Sequence, residues 1–167
     1  MRNKGRNLKG FIAGLLLSTL VFILQADDWP QFRGIHRDGI SREKGLLQHW
    51  PHSGPQLLWS SRENIGLGYA SVSLAEGKIF TTGLLNGEGV LFAFTLKGDL
   101  LWKTVYGPEW TGAWRGSRST PTVVKGRIYL FSGVGRLAEL MAMGVFAIHS
   151  SRELKENLVF TPVIPCT

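Results

Sequence analysis

The chain has 167 residues, 44% of them hydrophobic and 19% charged, and a formal net charge of +7. Four of the positive charges, Arg2, Lys4, Arg6 and Lys9, stand at the amino terminus with no acidic residue before Asp27, so the remainder carries only +3. That charge, with no basic stripe interleaved with aromatics, gives no case for a nucleic-acid partner, and the single cysteine, Cys166, excludes an internal disulfide and a Cys-x-x-Cys-His haem attachment.

The basic start is followed by an uncharged apolar run, residues 11–24, and then by Gln25-Ala26. The run is shorter than the roughly 20 residues a bilayer-spanning helix needs, and Ala26 is a small residue before a cleavage point. Residues 1–26 therefore read as a secretory signal peptide, with an uncleaved anchor as the alternative. The expected location is secreted or periplasmic, with no membrane span once the signal is removed. No cysteine follows the cleavage point, so a lipoprotein anchor is not supported.

Residues 27–56 are rich in Pro, Gly, His and Arg without a long periodic segment, and are expected to form an irregular arm. Within it Trp29 and Phe32 are expected to pack against the following structure, with Asp38-Gly39 forming a turn. His49 and His52 flank Trp50 and Pro51, but no Cys, Asp or Glu at a fitting spacing completes a metal site.

Residues 57–137 carry an internal repeat. Aligning Gly77 with Gly126 places Leu74-Ala75-Glu76-Gly77-Lys78-Ile79-Phe80 over Val123-Val124-Lys125-Gly126-Arg127-Ile128-Tyr129, and Ser71-Val72-Ser73 over Thr120-Pro121-Thr122. Leu57-Leu58-Trp59 returns as Leu100-Leu101-Trp102, 43 residues on, while the glycines are 49 apart, so the second unit carries six extra residues. Runs rich in β-branched and aromatic residues, bounded by Gly, Asn or Asp, predict strands over 70–75, 78–82, 90–95 and 100–104. Glu76-Gly77 and Lys125-Gly126 fall where a tight hairpin needs positive φ. The run Val90-Leu91-Phe92-Ala93-Phe94 is apolar on both faces, as a strand covered on two sides requires. The expected fold is all-β, a β-propeller of four-stranded antiparallel blades of which this chain holds about two. Residues 56–59 are expected to be the outer strand of an incomplete preceding blade. Trp59 and Trp102, at equivalent repeat positions, are expected to pack between blades, with the indole N–H reaching a backbone acceptor.

The six extra residues fall within 106–116, which contains Trp110, Trp114 and Arg115 and is followed by Arg118. Two indoles and a guanidinium suit a planar, anionic or sugar-like ligand, so Trp110, Trp114, Arg115 and Arg118 are the ligand-binding candidates. The alternative is that both indoles fold back over a blade edge. After Leu137 the repeat words stop, and residues 138–167 are expected to form an atypical tail unrelated to the repeat, arising from a frame change, a truncation or a divergent cap.

Asp28-Trp29-Pro30-Gln31-Phe32-Arg33-Gly34, Arg37-Asp38-Gly39-Ile40-Ser41 and the Leu-Leu-Trp, Gly-Lys-Ile-Phe and Ser-Thr-Pro-Thr words together resemble the secreted pyrroloquinoline-quinone-like β-propeller repeat proteins over residues 28–137. The chain departs from a common family pattern at Gly34-Ile35-His36-Arg37-Asp38-Gly39 and lacks the adjacent cysteine pair of many quinone-dependent alcohol dehydrogenases. The resemblance implies a propeller scaffold and permits two functions. One is a non-catalytic secreted or periplasmic scaffold for a protein or glycan partner, represented by the amino-terminal part of a longer protein. The other is part of a quinoprotein-like oxidoreductase using pyrroloquinoline quinone and calcium, whose metal-binding and catalytic positions have no counterpart that can be placed here. No catalytic residue, metal ligand or cofactor site is assigned: Ser117 and Ser119 lack a histidine partner, and Gly133-Val134-Gly135 lacks the following helix of a dinucleotide site. Open sheet edges in an incomplete propeller imply self-association.

Overall fold

The computed structural model describes residues 27–61, 65–144 and 146–147. The signal-peptide expectation for residues 1–26 and the tail beyond 147 lie outside these. The described residues are all-β and contain no helix, so none is long and apolar enough to cross a membrane.

Eight strands form two antiparallel sheets. The first has order β1 (Ser73–Ala75), β2 (Lys78–Leu85), β3 (Glu88–Thr95), β4 (Leu100–Pro108); the second has order β5 (Thr122–Val124), β6 (Arg127–Phe131), β7 (Leu137–Met141), β8 (Phe146–Ala147). Each sheet is a meander, in which every strand pairs with its sequence neighbour. The reason is local: tight turns separate the strands. Glu76 and Gly77 have φ of 54° and 69°, and Lys125 and Gly126 of 50° and 73°. Positive φ at both central residues is the two-residue hairpin geometry whose twist matches the flanking strands. Asn86-Gly87, with φ of 50° and 86°, makes a third such turn and carries β2 to Leu85, beyond the expected end at residue 82.

The aligned repeat words adopt the same register. Ser73 lies opposite Phe80 and Leu74 opposite Ile79, as Thr122 lies opposite Tyr129 and Val123 opposite Ile128. The words also touch each other. Tyr69 N–H donates to Ser117 O at 2.7 Å, Ser71 N–H to Thr120 Oγ1 at 3.1 Å, and Ser73 Oγ to Pro121 O. β1 and β5, the first strands of the two sheets, accordingly approach side by side.

One core lies between the sheets. Phe80, Leu91, Ala93, Trp102 and Tyr106 face Val123, Ile128, Leu130, Ala138, Leu140 and Ala142. Burying side chains of this size contributes about 1.5–3 kcal/mol each, which is why the inward positions of both sheets are apolar. The other face of β3 presents Val90, Phe92 and Phe94, packed by Ile65, Ile79, Leu85 and Leu100. Both faces of β3 are thus buried, the environment its continuous apolar run requires.

Three expectations are corrected. The second sheet does not stop at Leu137: β7 pairs with β6 over five positions, and β8 follows. Its pattern is simple alternation, with Ala138 and Leu140 buried and Met141 exposed, so it needs no run that is apolar on both faces. Residues 56–59 belong to no strand, and Leu57 and Leu58 are exposed. Trp59 and Trp102 consequently have different surroundings. Trp102 sits within β4, 6.0 Å from the Phe80 ring, whereas the Trp59 indole lies over the Gly98 turn and donates from Nε1 to Leu96 O at 3.0 Å.

The arm is tied to both first strands. Trp29 exchanges two backbone hydrogen bonds with Leu74, and Pro30 O accepts from Val123 N–H at 2.8 Å. The Trp29 ring covers Gly34, and Phe32 is exposed rather than packed. Asp38-Gly39 forms the expected turn, with Ile40 N–H on Asp38 Oδ1 at 3.0 Å; that bond, with Arg42 alongside, holds the Asp38 carboxyl below its usual range.

Candidate functional site

β4 runs past its expected end to Pro108, and the chain then makes the loop 109–117 before passing toward β5. Two buried feet hold this loop. Glu109, 3% exposed, accepts from Tyr106 Oη at 2.6 Å and Trp110 N–H at 2.8 Å, and from Gly133 N–H of the second sheet. Ser117, fully buried, lies 3.0 Å from Tyr106 Oη and donates to Thr82 Oγ1 at 2.6 Å, and Thr82 in turn donates to Ser119 O at 2.9 Å. Thr82, Tyr106, Glu109 and Ser117 therefore form one satisfied polar chain running from β2 through β4 to both ends of the loop and on to Gly133. Gly133 is required there: a Cβ would fall 2.6 Å from Glu109 Oε1 and from Trp110 Cβ. Burial, and then the hydrogen bond to Glu109, pushes the Tyr106 phenol well above its ordinary value, so it stays protonated as a donor.

Above these feet, Gly116 N–H closes the loop on Trp110 O at 3.0 Å. The four candidates then divide. Trp110 turns back on its own loop, with Nε1 on Ala113 O at 2.7 Å and its ring over Gly112. It braces the loop from within. Trp114 points outward, 79% exposed. Its φ of 55° places a bulky residue in the left-handed region, an outlier for such a side chain. Arg118 donates from Nη2 to Trp114 O at 2.8 Å and sets its guanidinium over one face of Tyr69, 5.9 Å from the ring centre. Arg115 makes no hydrogen bond or ion pair with any described residue.

Trp114, Arg115 and Arg118 border two open recesses that share Tyr69 and Trp114. One, of about 570 Å³, is lined by Leu67, Gly68, Tyr69, Gly112, Trp114 and Arg115; the other, of about 280 Å³, by Tyr69, Trp114 and Arg118. Among the described residues neither lining contains a carboxylate, so the site presents two cations and two aromatic rings. Tyr69 and the buried Glu109–Tyr106 pair escape sequence reasoning. Tyr69 lies before the first predicted strand, and a glutamate beside proline in a loop reads as solvated. The only available signal was the tyrosine three residues before the glutamate, which means nothing until β4 is known to reach Pro108.

A third recess of about 430 Å³ lies in the arm and is lined among others by Asp28, Trp29, His36, Arg42 and Glu43. Among the described residues no three His, Cys, Asp or Glu side chains gather to hold a metal ion.

Comparison of the chain with family models, with curated proteins and with solved structures finds no match. The class defined by fold and site is an all-β repeat of two antiparallel four-stranded meanders with a clamped aromatic and cationic loop.

Proposed function

We propose that the chain is a non-catalytic secreted or periplasmic scaffold of the pyrroloquinoline-quinone-like repeat type, its two sheets being successive propeller blades of a longer protein, and that it binds a partner through loop 109–117. The blade reading is supported by two meanders with matching hairpins and register, whose first strands approach side by side, and by a β3 buried on both faces. The observation that carries the binding reading is Trp114, a large indole held in the left-handed region and left in solvent by a loop whose feet are buried and fully hydrogen-bonded. Glu76 and Lys125 in the hairpin turns and Arg33 and Arg37 in the arm share that left-handed region, so what sets Trp114 apart is the exposure of its ring on a firmly held loop.

The test is a panel of glycans and envelope or extracellular proteins presented to the immobilised full chain and to the Trp114→Ala/Arg115→Ala variant. The reading expects binders that are lost by the variant while its circular dichroism and melting temperature are unchanged. If every binder survives both substitutions, the loop is not the binding face.

A further inference from the structure

Two features of the recess remain unused by a generic binding loop: beside an exposed indole, a guanidinium with no hydrogen bond or ion pair among the described residues, and a lining whose described residues include no acid. We propose that this site takes an acidic carbohydrate, a pyranose bearing a carboxylate, such as a uronate unit of a polysaccharide. The inference rests on the reading of loop 109–117 as the binding face and adds the class of ligand.

Three observations select that chemistry. The first is the charge pattern. Arg115 has no hydrogen bond or ion pair among the described residues, and Arg118 spends one Nη on Trp114 O and Ala113 O while its plane covers Tyr69. A free guanidinium fork is matched by a carboxylate, which accepts two parallel N–H bonds. The second is the number of free aromatic faces. Arg118 covers one face of Tyr69 and Trp110 is turned into its own loop, so Trp114, 79% exposed, is the ring most open to a ligand, with the 62% exposed Tyr69 beside it. A nucleobase is held best between rings or along a series of them, whereas a sugar lays one C–H face on one indole and directs its polar edge sideways. The third is shape. The two recesses meet at Tyr69 and Trp114 and are both open, so the indole stands between two places where successive units of a chain can lie.

The experiment is calorimetric titration of the full chain with sodium polygalacturonate, its methyl-esterified form and a single-stranded oligothymidylate. The esterified polymer keeps the pyranose ring and removes the charge. Binding of the acid form is expected, with the ester weaker by about tenfold or more and the oligonucleotide weaker still, because a charge-assisted bidentate contact is lost. Arg115→Ala and Trp114→Ala should each weaken the acid form by about tenfold. Trp114→Gly should abolish the same contact while leaving the melting temperature unchanged or higher, since glycine relieves the left-handed strain. Equal affinity for acid and ester, tighter binding of the oligonucleotide, no affinity for the acid polymer, or variants that bind like the parent would each overturn the proposal. If the acid polymer fails while other panel members are still lost on substituting Trp114 and Arg115, only the ligand class is wrong. If those panel binders also survive, the binding-face reading falls with it.

Discussion

Tyr106 is the residue on which the loop depends, because its hydroxyl serves both feet at once, donating to Glu109 and lying within hydrogen-bonding distance of Ser117. Its pKa is raised by burial and by the carboxylate, and the sign of the consequence follows from linkage. In the unfolded chain a tyrosine loses its proton near pH 10, while the folded protein retains it to higher pH. The unfolded state then binds fewer protons, so stability is intact below about pH 10 and declines as pH rises above it. Melting temperatures from pH 8 to 11 should fall more steeply for the parent than for Tyr106→Phe; parallel curves would show that Tyr106 is not the group responsible. Replacing Glu109 with Ala leaves Trp110 N–H and Gly133 N–H without their acceptor, at a cost of about 2 kcal/mol read from the denaturant midpoint. At this scale Trp114 and Arg115 are legible as candidates from the six-residue insertion that the repeat spacing reveals. The network beneath them was not, since neither a tyrosine nor a glutamate declares its burial until both are brought against Thr82 and Ser117.

Among the elements, the hairpins follow from sequence most directly. Glu76-Gly77 and Lys125-Gly126 announce turns that any chain would make, and Asn86-Gly87 is an equally strong signal that extends β2. β7 is the element sequence reasoning misses. Its counterpart in the repeat, β3, is apolar from Val90 to Phe94, so a run with Glu139 in its middle looks foreign; the second sheet, however, buries only alternate positions there. Leu140→Ala should therefore destabilise the protein by about 2–5 kcal/mol, and Met141→Ala by about 0.5 kcal/mol or less, in urea unfolding. Equal, small effects would place residues 137–141 outside the core. Residues 56–59 show the opposite: the Leu-Leu-Trp word forms a strand at 100–102, where β3 offers an edge, and none at 57–59, where no strand of the described residues pairs with it.

For the molecule as a whole, β4 is the outermost strand of its sheet, and it exposes Leu101 and Val105 along nine residues. Lys103 stands between them on the same exposed face, a charge of the kind that blunts edge pairing, so association through this edge would rest on the two apolar residues that flank it. Val105→Lys should shift any concentration-dependent association seen by light scattering toward the monomer; unchanged association would assign contact to another surface. The arm shows the protein using the same device internally, since residues 29 and 30 cap the edges of β1 and β5. What the sequence by itself determined is the all-β class, the turn positions, the internal repeat and the exposed loop candidates. These depend on φ preferences and side-chain alternation within a few residues, which physics sets locally. Only the tertiary structure decided which strands end where, that Trp110 braces while Trp114 projects, and that Glu109 and Tyr106 lie buried together. Those outcomes depend on which backbone edges and side chains meet across 24 residues from Glu109 to Gly133 or 35 from Thr82 to Ser117, and such meetings follow from packing the two sheets together.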